Sequence, residues 1–341
     1  MHHQPVVESM LNSLRKRNHV LPLTVLAIGC ASSFALNGSS PLAAMAALSA
    51  TLLFGYFEIM TQLAFRSPSS TKPPLDDTAW NPLQIDVHGH TLMMYHQHRS
   101  ASSPTAVLCH GWTAGAMRMT GRATSFLERG WNVVLFDLPS HGGSTKLVKW
   151  NAEQSCTTMI AALNILHEQH PSLFGPRIVF YGHSMGAFMG LRLSKRRDEF
   201  IVGQRLAGWI FESPMTGYSE IFQETCNILR IPTFFRQHIL NKSLRHFNAI
   251  NGPERRLHAI EEADAPVWGL PSEPTLLAQA LPDERLGDAH YERLIRCMEE
   301  AGRSHLLTVH MLRDMRHSGS HEHATRKGLV DEWIDDHSSS D

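Results

Sequence analysis

The sequence predicts an α/β fold, with a mostly parallel central sheet covered by helices on both faces. Three observations carry that expectation. Short runs dense in Val, Ile, Leu and Phe recur from residue 106 onward, and most are followed by a segment of helical period. Such fully apolar strands belong to sheets buried on both sides. Two runs around Gly89 read as an antiparallel hairpin at the front. One strand ends in Gly182-His183-Ser184-Met185-Gly186, directly before a helical segment.

The bulk numbers fit a single large core with extra segments. The chain has 341 residues, 43% of them apolar, and its 31 Lys and Arg balance 32 Asp and Glu. Without a basic excess no nucleic-acid partner is expected. The cysteines, Cys30, Cys109, Cys156, Cys226 and Cys297, include no CxxC pair. They read as mostly buried thiols rather than a zinc site or disulfide framework, with a Cys226–Cys297 bridge left open.

Residues 1–66 form a distinct N-terminal region. A basic cluster, Arg15-Lys16-Arg17, precedes two apolar segments at 20–36 and 42–57, separated by Asn37-Gly38-Ser39-Ser40-Pro41. Neither segment contains Lys, Arg, Asp or Glu, and each is near the lower length limit for a spanning helix. The expectation is a membrane hairpin through residues 20–57, with the basic cluster held on the cytoplasmic side of an inner membrane. A cleaved signal peptide giving an exported form, and a helix pair packed on a soluble domain, are the alternatives. A second apolar stretch directly after the first speaks against simple cleavage. Residues 67–82, rich in Ser, Pro, Thr and Asp, read as a linker.

The domain proper is expected over 83–341. Strands are predicted at 83–88, 91–98, 106–109, 132–138, 177–181, 206–211, 275–280 and 306–312. Helices are predicted at 116–129, 154–170, 185–197, 288–301 and 324–335. An insertion at about 214–272 contains Ile221, Phe222, Ile228, Leu229, Ile231, Phe234, Phe235, Ile239 and Leu240 at helical spacing.

The chemistry centres on Ser184. A serine on a sharp strand-to-helix turn has strained backbone angles and needs small neighbours two residues to either side, which Gly182 and Gly186 supply. The turn exposes the hydroxyl at the carboxyl edge of the sheet, where a helix N-terminus favours developing negative charge. Such a serine needs a base, and the base an orienting acid, with the acid before the histidine in the chain. Asp283 follows the strand 275–280 and is the candidate acid, with Glu284 and Asp288 as substitutes. His317 follows the last strand and is the candidate base, with His321 and His323 nearby. Two backbone N–H groups should hold an oxyanion, that of Met185 and that of Trp112 in the loop Cys109-His110-Gly111-Trp112.

Together these residues resemble the α/β-hydrolase superfamily, and most nearly its monoacylglycerol-lipase and serine-aminopeptidase-like group. The matching motifs are His110-Gly111-Trp112, the stretch Asp137 to Ser144, Gly182 to Gly186, Asp283 and His317. The resemblance implies a serine hydrolase cleaving a carboxylic ester or thioester, carboxylesterase- or lipase-like, through an acyl-enzyme, with no cofactor and no metal. It implies a structural turn for Asp137 and His141, and a helical cap for the insertion, with an acyl-lipid-like substrate suiting an apolar cap beside a membrane segment. Ala280-Leu281-Pro282 stands where the group often carries glycine. Two rivals stay open: an aminopeptidase or amidase holding a substrate amine at Glu212 or Glu220, and a catalytically silent hydrolase fold used as a binding module. Paired histidines at 88/90 and 96/98 lack a carboxylate or cysteine at ligand spacing, so metal binding there is set aside.

Overall fold

The computed structural model describes residues 20–65, 68, 72–147 and 149–338. The basic cluster at 15–17 lies outside them. The chain divides into two compact units, one of residues 1–67 with 222–250, the other of 68–221 with 251–341.

The second unit is built on one eight-stranded sheet. Its strands are β1 (Asn81–Val87), β2 (His90–Gln97), β3 (Thr105–Cys109), β4 (Asn132–Phe136), β5 (Ile178–His183), β6 (Leu206–Glu212), β7 (Thr275–Ala280) and β8 (Leu307–Leu312). Their order across the sheet is β1-β2-β4-β3-β5-β6-β7-β8. β1 and β2 pair antiparallel, as do β2 and β4; every other neighbour is parallel. The sheet is therefore the mostly parallel one that the apolar runs predict, with the hairpin at one edge.

β3 and β4 are buried along their whole length. Leu108, Val133, Leu135, Val179, Tyr181, Ile210 and Leu276 share one core with Phe126, Trp131 and Trp333. The expected strand at 132–138 stops at Phe136, because the Asp137 carboxylate turns the chain by accepting the amides of Ala116 (2.6 Å) and Gly143 (2.9 Å). The expected helix at 116–129 is a tight turn at 116–119 leading into Thr120–Leu127. All five cysteines are free thiols, Cys30 exposed and the other four buried.

The first unit is helical. Helix α1 (Val20–Asn37) and helix α2 (Pro41–Ala64) are joined by a turn in which the Ser40 hydroxyl caps α2. The second apolar segment ends at Phe57, yet α2 continues to Ala64, and Glu58 in that extension pairs with Lys242. Small residues make the α1–α2 contact: a Cβ on Gly29 would stand 2.2 Å from Thr51 Oγ1, and one on Gly55 3.0 Å from Leu26. Large side chains point outward, Phe34 at 86% exposed and Leu42 at 75%. Among the described residues one helix, Pro41–Ala64, is long and apolar enough to cross a membrane.

The helices that follow are α3 (Thr120–Leu127), α4 (Ala152–Gln169), α5 (Met185–Lys195), α6 (Tyr218–Ile228), α7 (Thr233–Asn251), α8 (Ala289–Glu300) and α9 (Ala324–Ser338). The insertion is thus largely α6 and α7.

Candidate active site

Ser184 occupies the turn between β5 and α5 at φ 53°, ψ −114°. A non-glycine residue adopts such a conformation only when its surroundings fix it. Here the Ser184 N–H donates to the Glu212 carbonyl (2.9 Å), and its own carbonyl accepts the amides of Ala187 and Met215 (3.1 and 3.2 Å). The flanking glycines answer to close packing. A Cβ on Gly182 would meet the Ala187 nitrogen at 2.4 Å, and one on Gly186 the Cys109 carbonyl oxygen at 2.0 Å.

The histidine and the acid arrive from the loops after β8 and β7. His317 Nε2 is 3.0 Å from Ser184 Oγ, and His317 Nδ1 is 2.8 Å from Asp283 Oδ2. Asp283 Oδ2 also accepts from Gln279 Nε2 (3.1 Å), while Oδ1 accepts the amides of Arg285 and Leu286 (2.9 Å each). Burial raises the Asp283 carboxyl, but the His317 ring and these two amides outweigh it and hold the group below the ordinary aspartate range. An ionised carboxylate only accepts, so Nδ1 carries the ring proton and the Nε2 lone pair faces the serine hydroxyl. All three side chains are buried. A hydroxyl, an imidazole and a carboxylate in this order can move a proton off Oγ as it attacks an electrophile.

The substitutes do other work. Glu284 accepts the backbone amides of His317 and Ser318 (3.3 and 3.2 Å), clamping the loop rather than the ring. Asp288 begins α8. The His321 ring meets Arg118, and the His323 ring meets the Asp314 carbonyl and the Arg326 amide.

The loop 109–112 runs against the nucleophile. A Cβ on Gly111 would stand 3.1 Å from Ser184 Cβ and 3.0 Å from His183 Nδ1, and the Trp112 amide is one residue beyond. His110 stiffens this loop, donating from Nδ1 to the Gly111 carbonyl (2.7 Å) and accepting the Leu138 amide at Nε2 (3.0 Å). Burial pushes its pKa down to about 4, so the ring is neutral. Met185 is the first residue of α5, so its N–H has no partner within that helix. Asp137 and His141 hold the neighbouring turn; His141 accepts the Thr113 amide at 3.2 Å.

Two supports escaped the sequence reading. His183, inside the glycine motif, donates from Nε2 to the His317 carbonyl at 3.0 Å. Desolvation, reinforced by the Arg122 cation, lowers its pKa to about 3 and keeps the ring neutral. Beneath the turn lies Glu212, fully buried and bound by Arg122, by Tyr181 Oη (2.6 Å) and by Arg326 (3.3 Å). Burial opposes its ionisation, but the two guanidinium groups hold its pKa well below the usual range. Arg326 also donates to the carbonyls of Ser320 (2.5 Å) and His321 (3.0 Å), tying the loop that carries His317 to the base of the serine turn. The candidate amine anchors are therefore engaged: Glu212 here, and Glu220 in an ion pair with Arg293.

The model of a family described as the alpha/beta hydrolase family matches residues 106–335. Among solved structures, an esterase of Pyrococcus furiosus is similar at a TM-score of 0.56 and 16% identity, covering 80% of this chain and 97% of its own. Mouse alpha/beta hydrolase domain-containing protein 10 is similar at 0.53 and 12%, covering 75% and 97%. At these identities the likeness is one of fold. No curated protein sequence matches the chain.

Proposed function

The chain belongs to the alpha/beta hydrolase family, and from that premise we propose that it is a serine hydrolase cleaving a carboxylic ester or thioester of acyl-lipid type. The observation that carries this reading is the buried relay from Asp283 through His317 to Ser184, at 2.8 and 3.0 Å, on a turn held at positive φ.

Ser184 Oγ attacks the carbonyl carbon while His317 Nε2 takes its proton. The amides of Met185 and Trp112 receive the tetrahedral oxyanion. His317 then protonates the departing alkoxide or thiolate, leaving Ser184 acylated. Water attacks the acyl-enzyme by the same steps in reverse. Asp283 keeps the ring in the tautomer that accepts at Nε2. An ester or thioester suits this site better than an aminopeptidase substrate, because both carboxylates that might hold an amine are already ion-paired.

The acyl-lipid reading rests on the helical unit. Residues 20–57 carry no charged side chain, and α2, with 24 residues, is about 36 Å long, enough for a bilayer core of about 30 Å. Its outward face is Leu42, Met45, Leu52 and Ile59. These features support attachment to a membrane through residues 20–57, with Arg15-Lys16-Arg17 favouring a cytoplasmic N-terminus at an inner membrane.

Labelling with a fluorophosphonate probe tests the chemistry. The native protein is expected to label covalently and Ser184→Ala to lose the label while keeping its circular dichroism. A folded native protein that stays unlabelled overturns the reading and favours a binding role for the same fold.

A further inference from the structure

The helical unit contains a second apolar surface besides the α1–α2 pair. Side chains of α7 meet the later part of α2 and the residue after it. The Phe57 ring lies 4.9 Å from Phe235 and 4.3 Å from His238, Tyr56 lies 5.6 Å from Phe235, and Phe65 lies 4.8 Å from Phe247. Lys242 pairs with Glu58 and sits over the Phe54 ring at 5.2 Å. Phe235, His238 and Lys242 all meet α2 within residues 54–58, and Phe247 meets Phe65 just past its end. The start of α7 therefore sits level with Tyr56 and Phe57, where the charge-free stretch ends, and Phe247 sits level with the end of the polar continuation of α2.

At that level two large apolar side chains are left uncovered. Phe234 is 76% exposed although its ring is only 4.3 Å from Phe235, and Ile228, the last residue of α6, is 71% exposed. Their neighbours Phe222, Ile231 and Ile239 are buried, so the insertion packs its own core without them. Between them stands exposed Arg230, in a left-handed conformation at φ 52°. Residues 222–250 carry Arg230, Arg236, Lys242 and Arg245 against the single acid Glu224. Exposed apolar groups at the tip of a basic helical segment match a lipid interface, where the apolar groups enter the acyl boundary and the cations meet anionic headgroups.

We infer that the turn Ile228–Phe234 is an interfacial wedge that inserts into an anionic lipid surface beside the end of α2. The inference rests on the membrane attachment proposed for residues 20–57. It makes the insertion a lipid-contacting element in its own right, held at a fixed depth by its aromatic contacts with Tyr56, Phe57 and Phe65.

The test uses the full chain with Cys30→Ser, to remove the exposed thiol, and an environment-sensitive nitrobenzoxadiazole label on Phe234→Cys or on Ala249→Cys. The protein is reconstituted into vesicles of phosphatidylcholine with phosphatidylglycerol, and quenching by spin-labelled lipid is read after flotation. The expected result is a blue-shifted, quenched label at 234, more so than in pure phosphatidylcholine, and a water-like label at 249, about 22 Å further along α7. A water-like label at 234 on protein that floats overturns the wedge and leaves the attachment standing. Equal quenching at both positions also overturns it, since α7 would then lie flat on the surface. Protein that fails to float removes the attachment, and the wedge with it. None of these readouts depends on hydrolysis, so the proposed catalysis stands or falls separately.

Discussion

The α/β unit and the α1–α2 pair solve the packing problem in opposite ways. In the α/β unit the largest side chains are inside: Trp209, Tyr181, Phe126, Phe180 and Phe188 are all but inaccessible to solvent. In the α1–α2 pair the contact is made by Gly29, Ala44, Thr51 and Gly55, while Leu23, Phe34, Leu42 and Leu52 face out. The first arrangement is what water selects, because burying large apolar surface is the main gain on folding. The second is the arrangement expected of the membrane attachment proposed above, where surroundings as apolar as leucine leave close approach of small residues as the source of helix association. The candidate serine relay and its buried ion pair belong to the α/β unit.

The sharpest way to break this division is to remove the acid. Asp283→Asn can no longer hold the His317 tautomer that accepts at Nε2, and kcat is expected to fall about 10⁴-fold. Flotation with vesicles should be unchanged. A variant that lost flotation along with activity would show that the two units do not act separately. A smaller effect compares one substitution in both units. Leu135→Ala, at a site with no exposed surface, is expected to cost about 2–5 kcal/mol of stability. Leu52→Ala, at a site 64% exposed, should stay within about 0.5 kcal/mol in detergent. Urea titration of each variant measures both. A large cost at Leu52 would mean that this face is covered within the protein, and would remove the support it gives to membrane attachment.

The sheet was legible because its central strands are continuous apolar runs bounded by turn residues; β7 occupies the predicted 275–280. Strand ends were less so. The resemblance implied a turn at Asp137, but the apolar run Val133 to Leu138 carried the predicted strand through it; the bond to the distant Ala116 amide is what stops the strand. The charge at Glu58 reads as the end of an apolar segment, and its partner Lys242, 184 residues away, is not legible locally. Of the candidate site, chain order confined the candidate partners of Ser184 to two loops, and it is Asp283 and His317, rather than Glu284 and His321, whose side chains lie within hydrogen-bond distance in line with Ser184. The Glu212–Arg122–Arg326 group left no local signal, since its members are 90 and 114 residues apart and only the sheet joins them. His183 had a signal, its place between the motif glycines, but its contact with the His317 carbonyl is a product of tertiary folding.

The last expected effect concerns pH. Burial, the leading cause in each case, lowers the pKa of His110 to about 4, of His141 to about 3, of His183 to about 3 and of His290 to about 4, and all four belong to the α/β unit. In the unfolded chain each would titrate at about 6.5. Between that value and about 4 the unfolded state therefore takes up protons that the native state refuses, and stability falls as pH falls. The depressed Asp283 and Glu212 act in the same direction, but only once pH drops into the carboxylate range. The seven tryptophans, Trp80, Trp112, Trp131, Trp150, Trp209, Trp268 and Trp333, also lie in the α/β unit, so their fluorescence reports its unfolding alone. The tryptophan-monitored midpoint is expected to hold steady above pH 7 and to decline progressively from about pH 6.5 to 4.5. His141→Gln should decline less steeply, having one fewer site for the unfolded chain to protonate. A midpoint that rose on acidification would mean that these rings are charged in the folded protein, and the neutral donors assigned to His110 and His183 beside Ser184 would have to be given up.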